Sequence, residues 1–243
     1  MRRIVTFVLG ILVGQWLAFG TAVSPADYHV RAQRAWQGQD YLEAMQLWSH
    51  AGALQPADPN VHYLRGTALA RLGLKISALD AFQMALLLEP SPTLARRIVQ
   101  DITRLNQAPD AGSARETTVP LEHGLGVWTA QVVVNEHHPA RFLVDTGSSV
   151  TVVSPRLAAA AGIAGTTGGS PVELHTLGGR TVGPSATAAS LRVGDLEVRD
   201  APVVLHDPGP GFDGILGNTF LGRYRVTVDA DRRQLQLRLL ARD

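Results

Sequence analysis

The sequence predicts a chain of two parts, all-α helical hairpins followed by a mainly antiparallel β domain, and three observations predict it. Between residues 28 and 105 an apolar pattern of helical spacing recurs with a shift of 34 residues. At 107–118 the composition turns to Ala, Gly, Ser, Thr and Pro with scattered charge and no periodicity, as in a linker. Beyond it, short β-branched runs alternate with turn residues up to Leu239. The chain has 243 residues, 45% hydrophobic and 18% charged, which suits one large or two small globular domains and excludes disorder over the whole length.

Residues 1–22 read as a signal peptide or membrane anchor. Arg2 and Arg3 precede a largely apolar run from Ile4 to Val23, and Gly20-Thr21-Ala22 offers a small-x-small cleavage site. The run over 4–23 also has the ~20 residues that cross a bilayer core, so retention as an anchor, with both arginines on the cytoplasmic side, stays open. Either way the remainder is expected outside the cytoplasm: exported, periplasmic or extracytoplasmic, and in the anchored case tethered to the inner membrane.

The helical part is expected over 26–106. Ala44, Trp48, Ala51 and Pro56 recur as Ala78, Phe82, Ala85 and Pro90, and Ala32 maps onto Gly66 in the same register. The loop glycines Gly38 and Gly73 are 35 apart and miss that register by one. Asn60 to Leu72 and Ile76 to Leu88 show helical spacing, each repeat closes at its proline, and Leu94, Ile98, Ile102 and Leu105 form one face of a capping helix begun near Ser91-Pro92. The pattern resembles two tetratricopeptide repeats. That resemblance implies a platform for a protein partner or peptide on the concave face, or a plain helical spacer. Two repeats fall below the ~3 needed for independent stability, so the capping helix, and packing on a neighbour, are expected to complete the module.

From 119 to 243 the signals are those of a β domain. Strands are expected at Trp128–Val134, Arg141–Asp145, Ser149–Val153, Val172–Thr176, Ser190–Val193, Glu197–Leu205, Arg223–Asp229 and Gln234–Leu239. Ser154-Pro155 caps a short helix that ends at Gly162, and a second begins near Gly217-Asn218.

Two segments inside this domain carry chemistry. In Phe142-Leu143-Val144-Asp145-Thr146-Gly147-Ser148-Ser149, three apolar residues lead a strand into the core and an aspartate follows at its end, where a carboxylate is costly unless used or paired. Seventy residues on, Phe212-Asp213-Gly214-Ile215-Leu216-Gly217 repeats the shape of a short apolar stretch, a glycine and a short helix. The D-T-G-S-S with its apolar lead and the downstream I-L-G are similar to the aspartic proteases, and the domain length resembles the single-lobed, retropepsin-like branch with its acid-protease-like barrel. The likeness covers about half the chain.

The resemblance implies that Asp145 is the catalytic carboxylate, supported by Thr146, which braces it across a two-fold axis, and by Gly147 and Ser148. It implies that Ile215, Leu216 and Gly217 cross near the active loop and line a subsite wall, and that Leu177, Gly178 and Gly179, in the hairpin Thr176-Leu177-Gly178-Gly179-Arg180, form a substrate-binding flap. Ser148 stands where retroviral enzymes have Ala, and the flap has no aromatic tip. Peptide hydrolysis by this route needs two carboxylates sharing one proton, which gives a bell-shaped, acidic rate profile. The domain supplies one, because Asp213 falls in the supporting strand or turn of the family pattern. The second is therefore expected to be Asp145 of another chain, in a C2 homodimer acting on a protein or peptide.

Other chemistries find less support. Basic and acidic residues number 22 and 21 with no segregation of sign, so no nucleic-acid partner is expected. The absence of cysteine removes disulfides, thiol catalysis and Cys-based zinc sites. His137-His138 has no third ligand placed and reads as a hairpin tip, no G-x-S-x-G surrounds Ser148 or Ser149, and neither Gly168-Gly169 nor Gly178-Gly179 has the spacing of a phosphate loop. No cofactor or metal is expected. The competing reading is a non-catalytic adaptor that uses the protease-like domain for dimerisation or peptide binding; Asp145 discriminates, since a pseudoenzyme has no need of an acid at a dimer axis.

Overall fold

The computed structural model describes residues 24–107, 115–124, 126–165, 171–176 and 179–240. The leader with its apolar run and cleavage site, most of the linker, the Gly168-Gly169 pair and the flap residues Leu177 and Gly178 lie outside the described residues.

The N-terminal part is helical: α1 (Pro25–Gln37), α2 (Tyr41–Leu54), α3 (Pro59–Arg71), α4 (Lys75–Leu87) and α5 (Pro92–Gln107). α1 and α3 begin at residues 25 and 59, and α2 and α4 at 41 and 75, so both pairs keep the 34-residue offset. Starts are written into the sequence. Ser24 and Asp27 form a reciprocal capping box on α1, and Asp40 and Asp58 cap α2 and α3. The two hairpin loops are copies of each other. Asp40 N donates to Ala35 O and Leu74 N to Leu69 O, both at 2.9 Å, the bond that closes a helix on a left-handed residue. That residue is Gly73 (φ 70°) in the second loop and Gln39 (φ 62°) in the first. The glycines missed register because Gly38 is not the counterpart of Gly73; Gln39 is, in a conformation that costs a non-glycine residue about 1 kcal/mol.

Inside the repeats a small residue on one helix meets an aromatic on the next. A Cβ on Gly66 would lie 2.6 Å from the Phe82 ring, so α3 and α4 approach as closely as they do only with glycine there. Trp48 and Phe82, which share a repeat position, are both 1% exposed. On α5, Leu94 and Ile98 are buried and Ile102 and Leu105 pack against the same cluster, as the apolar spacing requires.

The C-terminal part holds β1 (Glu116–Pro120), β2 (Glu122–Gly124), β3 (Val127–Val134), β4 (His138–Val144), β5 (Val152–Val153), the helix α6 (Pro155–Ala160), β6 (Val172–Thr176), β7 (Gly179–Gly183), β8 (Ser185–Val193), β9 (Leu196–Leu205), β10 (Gly214–Leu216), the helix α7 (Asn218–Leu221), β11 (Tyr224–Asp229) and β12 (Gln234–Leu239). One sheet runs β2-β3-β4-β10-β5-β9-β8 and closes on itself where β3 pairs with β8, making a barrel. Its pairings are antiparallel except β10 with β4 and β5 with β9, which are parallel. β1, β12 and β11 form a three-stranded sheet, and β6 and β7 a separate hairpin. The barrel fills with Phe142, Leu191, Leu216, Phe220 and Val132, all 1% exposed or less.

Four boundaries in the β part differ from expectation by more than one residue. β1 begins at Glu116, inside the segment read as linker and before the expected start at 119. Its Thr and Pro content hid a strand whose Thr117 and Val119 turn inward and whose backbone pairs with β12. The strand expected over 149–153 is cut to Val152–Val153, because Thr151 before it donates its N–H to the Thr219 hydroxyl and its own hydroxyl to Gly217 O. β8 starts at Ser185, five residues before the expected Ser190, with small side chains facing in. The turn after β3 is made by Asn135 (φ 46°) and Glu136 (φ 65°), and β4 already starts at His138.

The two parts share a core. Val150, Val152, Val172, Leu174 and Val204 of the β part are buried in one cluster with Ala32, Trp48, Phe82 and other helical side chains. Polar clamps fix the contact. The Arg223 guanidinium donates to Leu72 O at 2.7 Å and Gly73 O at 2.9 Å, at the end of α3, and the Ser185 hydroxyl donates to the Asp40 carboxylate at the start of α2. The two-repeat module thus finds its further packing partner in its own chain.

Candidate active site

β4 delivers Asp145. Its last three residues lie between two neighbours: Phe142 and Leu143 pair with Ala130 and Thr129 of β3, and Phe142, Leu143 and Val144 run parallel to Gly214, Ile215 and Leu216 of β10. Asp145 extends that parallel ladder by one bond, its N–H donating to Leu216 O at 3.1 Å. The two segments singled out in the sequence are therefore adjacent strands, and the I-L-G stretch crosses beside the aspartate.

Beyond Asp145 the chain makes a tight turn. Ser148 N donates to Asp145 O at 3.3 Å, and Gly147 N donates to the Asp145 Oδ1 at 2.9 Å. Asp145 is half-buried while Thr146 and Gly147 are exposed. The carboxylate has one backbone donor and an open side. A Cβ on Gly147 would lie 3.2 Å from Asp145 Oδ1, so the close approach at that glycine is made by the carboxylate itself. The Ser148 hydroxyl turns inward and donates to Val150 O at 2.8 Å, which accounts for a serine in place of a smaller side chain.

The turn is locked from behind by residues the sequence reading passed over. Asn218 donates through Nδ2 to Thr146 O at 3.0 Å and through its backbone N–H to Ser148 O at 2.9 Å, gripping both sides of the loop. Thr151, fully buried, donates its hydroxyl to Gly217 O at 3.3 Å and accepts from Gly217 N at 3.2 Å, while its own N–H donates to Thr219 Oγ1 at 2.9 Å. Gly217 has no room for a side chain, because a Cβ would fall well inside contact distance of Val150 O. The signal was present in the sequence as polar residues directly after the I-L-G, but only the strand crossing reveals their targets.

Asp213 takes a different role. It sits at the opposite end of β10, where its Oδ2 accepts from Arg141 N at 3.0 Å and its Oδ1 pairs with Arg156 at 2.6 Å. Arg141 is four residues ahead of Asp145 on the same strand, about 13 Å away at strand rise. Asp213 supports the end of the barrel, as expected, and does not join Asp145.

Of the remaining expected site residues, Ile215 is partly buried against the cluster shared with the helices, Leu216 is fully buried in the barrel, and Gly179 starts β7 opposite Thr176. Among the described residues no group of three or more His, Cys, Asp or Glu side chains is placed to hold a metal ion, and no helix is long and apolar enough to cross a membrane.

A family model described as aspartyl protease matches residues 130–220 of this chain, from β3 through α7. The barrel carries the sequence pattern of an aspartyl protease. The matched span contains Asp145, Asp213, the hairpin and the I-L-G strand, and it leaves α1–α5 outside. Among solved structures, the crystal structure of a retropepsin-like aspartic protease from Rickettsia conorii is similar at 21% sequence identity; the match covers 51% of this chain and 90% of that one, with a TM-score of 0.37. No curated protein matches the chain. The span similar to the aspartyl protease family thus lies within the β part, and α1–α5 fall outside it.

Proposed function

We propose that the chain is an aspartic endopeptidase that acts as a homodimer, exported from the cytoplasm. The observation that carries the reading is Asp145: a half-buried carboxylate at the end of a core strand, in a turn gripped from behind by Asn218, with Asp213 engaged elsewhere. One such carboxylate per chain matches a site assembled from two chains on a two-fold axis. There, one Asp145 takes a proton from a water whose oxygen attacks the scissile carbonyl. The other, protonated, donates to the carbonyl oxygen and the departing amine receives the proton as the C–N bond breaks. Thr146, exposed beside Asp145, is suited to brace the turn of the second copy. Export is supported by the apolar run after Arg2 and Arg3, and the helical module offers a docking face for a partner or substrate.

The test is cleavage of a mixed peptide library by purified residues 23–243 from about pH 3 to 8, beside Asp145→Asn and over a dilution series. Cleavage is expected to fall at least about 1,000-fold in the variant, to follow a bell-shaped pH profile, and to rise faster than linearly with dilute enzyme. Equal cleavage by Asp145→Asn would overturn the carboxylate mechanism. A folded, dimeric wild type that cleaves nothing would shift the reading to an adaptor.

A further inference from the structure

The hairpin β6–β7 pairs with neither of the other sheets, so side chains and its own base decide where it sits. Two of its inward residues, Val172 (1% exposed) and Leu174 (7%), are buried in the cluster shared with the helical module, and β6 lies against α2. At the base, a Cβ on Gly183 would be driven into Leu205 O and the Val204 side chain, so the chain leaves β7 in contact with β9. Two residues later, Ser185 donates its hydroxyl to Asp40 Oδ2, and Asp40 Oδ1 accepts from Glu43 N at 3.1 Å as the cap of α2. Asp40 and Ser185 are themselves buried. One carboxylate therefore holds the start of a helix with one oxygen and the foot of the hairpin with the other. The same cluster receives Ile215, the residue beside the Asp145 strand.

We propose that the helical module is the brace of the hairpin, with Asp40 and Ser185 as positioning residues that hold the hairpin strands against α2 and thereby set the binding of a substrate. The part concerning substrate rests on the aspartic endopeptidase reading above; the brace does not. A hairpin of two short strands is marginal alone, so its stability is set by whatever it docks on, and here that is α2. Occupancy or displacement of the helices is thereby coupled to the hairpin through a contact that the barrel alone would lack.

The test compares full-chain wild type with Ser185→Ala, Asp40→Ala and Asp40→Asn by site-resolved amide hydrogen exchange, reading β6 and β7 against β3 and β12 as internal controls. Ser185→Ala keeps the α2 cap and is expected to speed exchange in the hairpin by about five-fold, the order of one lost hydrogen bond, with the controls unchanged. Asp40→Ala has the same effect and frays the first turn of α2. Asp40→Asn is expected to match wild type, since the carboxamide oxygen still accepts from Glu43 N and its NH2 can donate to Ser185 Oγ. With a peptide substrate, Ser185→Ala raises KM while kcat stays within about two-fold, as for a group that positions binding and not the reacting atoms. Unchanged hairpin exchange in both alanine variants, or a uniform rise that includes β3 and β12, overturns the brace. If wild type cleaves no peptide while the hairpin responds as expected, the peptidase reading falls and the brace stands.

Discussion

Asp145 owes its place to backbone more than to side chains: a strand ladder on Leu216, a turn closed by Ser148, and a loop gripped by Asn218. The residue that makes the crossing possible is Gly217, where any Cβ would meet Val150 O. Gly217→Ala is expected to cost about 2–3 kcal/mol, read as a lower urea midpoint, and to lower cleavage more than stability because the displaced backbone carries the Asp145 turn. A second prediction concerns alkaline pH. Burial pushes the Tyr224 hydroxyl above its ordinary range, with the neighbouring Arg223 opposing; at Tyr63, burial and then Asp101 act in the same upward direction. A phenol whose folded value is raised contributes stability that is fully present below about pH 10, the unfolded value, and is lost as pH rises through the folded one. Urea midpoints should therefore fall above about pH 10, and Tyr224→Phe should flatten that fall.

At the scale of elements, the helical hairpins and the barrel strands follow different rules of legibility. The helices were readable to within a residue or so because caps and apolar spacing are local: α3 and α4 start one residue before the expected Asn60 and Ile76. β1, β2 and β10 were not readable as strands, since three to five residues carry too little period and each is fixed by a partner distant in sequence. The element junction with the sharpest test is the end of α3, where the carbonyls of Leu72 and Gly73, just past its last turn, are satisfied by Arg223 from about 150 residues away. Burial lowers the Arg223 pKa, so the ion itself opposes part of what its bonds contribute. Arg223→Met is expected to cost about 2 kcal/mol by leaving two carbonyls without their donor, and Arg223→Lys to recover little, because an ammonium lacks the fork that reaches both. Thermal unfolding of the three proteins side by side checks this.

At the scale of the whole molecule, the junction between helices and barrel is a piece of core and not a surface contact. Val150, Val152, Val172, Leu174 and Val204 would each lose part of a burial worth about 1.5–3 kcal/mol in full if the helices were removed. Residues 115–243 alone are therefore expected to bind a hydrophobic dye and to aggregate where residues 23–243 remain monodisperse, as scattering would report. A truncated barrel as soluble and as stable as the full chain would mean that the shared cluster contributes little. The family pattern runs from residue 130 to 220, so the β-part residues of this junction lie inside it and the helical ones outside.

The sequence by itself determined the two-part architecture, the 34-residue repeat and the aspartate in its D-T-G-S-S segment, because spacing, caps and glycine are local properties of the chain; the supporting role of Asp213 came only from the resemblance to a family. The one-residue mismatch it showed between Gly38 and Gly73 has its reason in the structure, where the left-handed loop position of the first repeat is filled by Gln39. Tertiary structure alone decided that β10 runs beside β4 and brings Leu216 O to Asp145. It alone placed Asn218 and Thr151 behind the Asp145 turn, and joined α2 to the start of β8, at the foot of the hairpin, through Asp40 and Ser185. Each of those contacts joins residues tens to more than a hundred positions apart, and no local pattern encodes which distant backbone a buried carboxylate or amide will meet once the barrel closes.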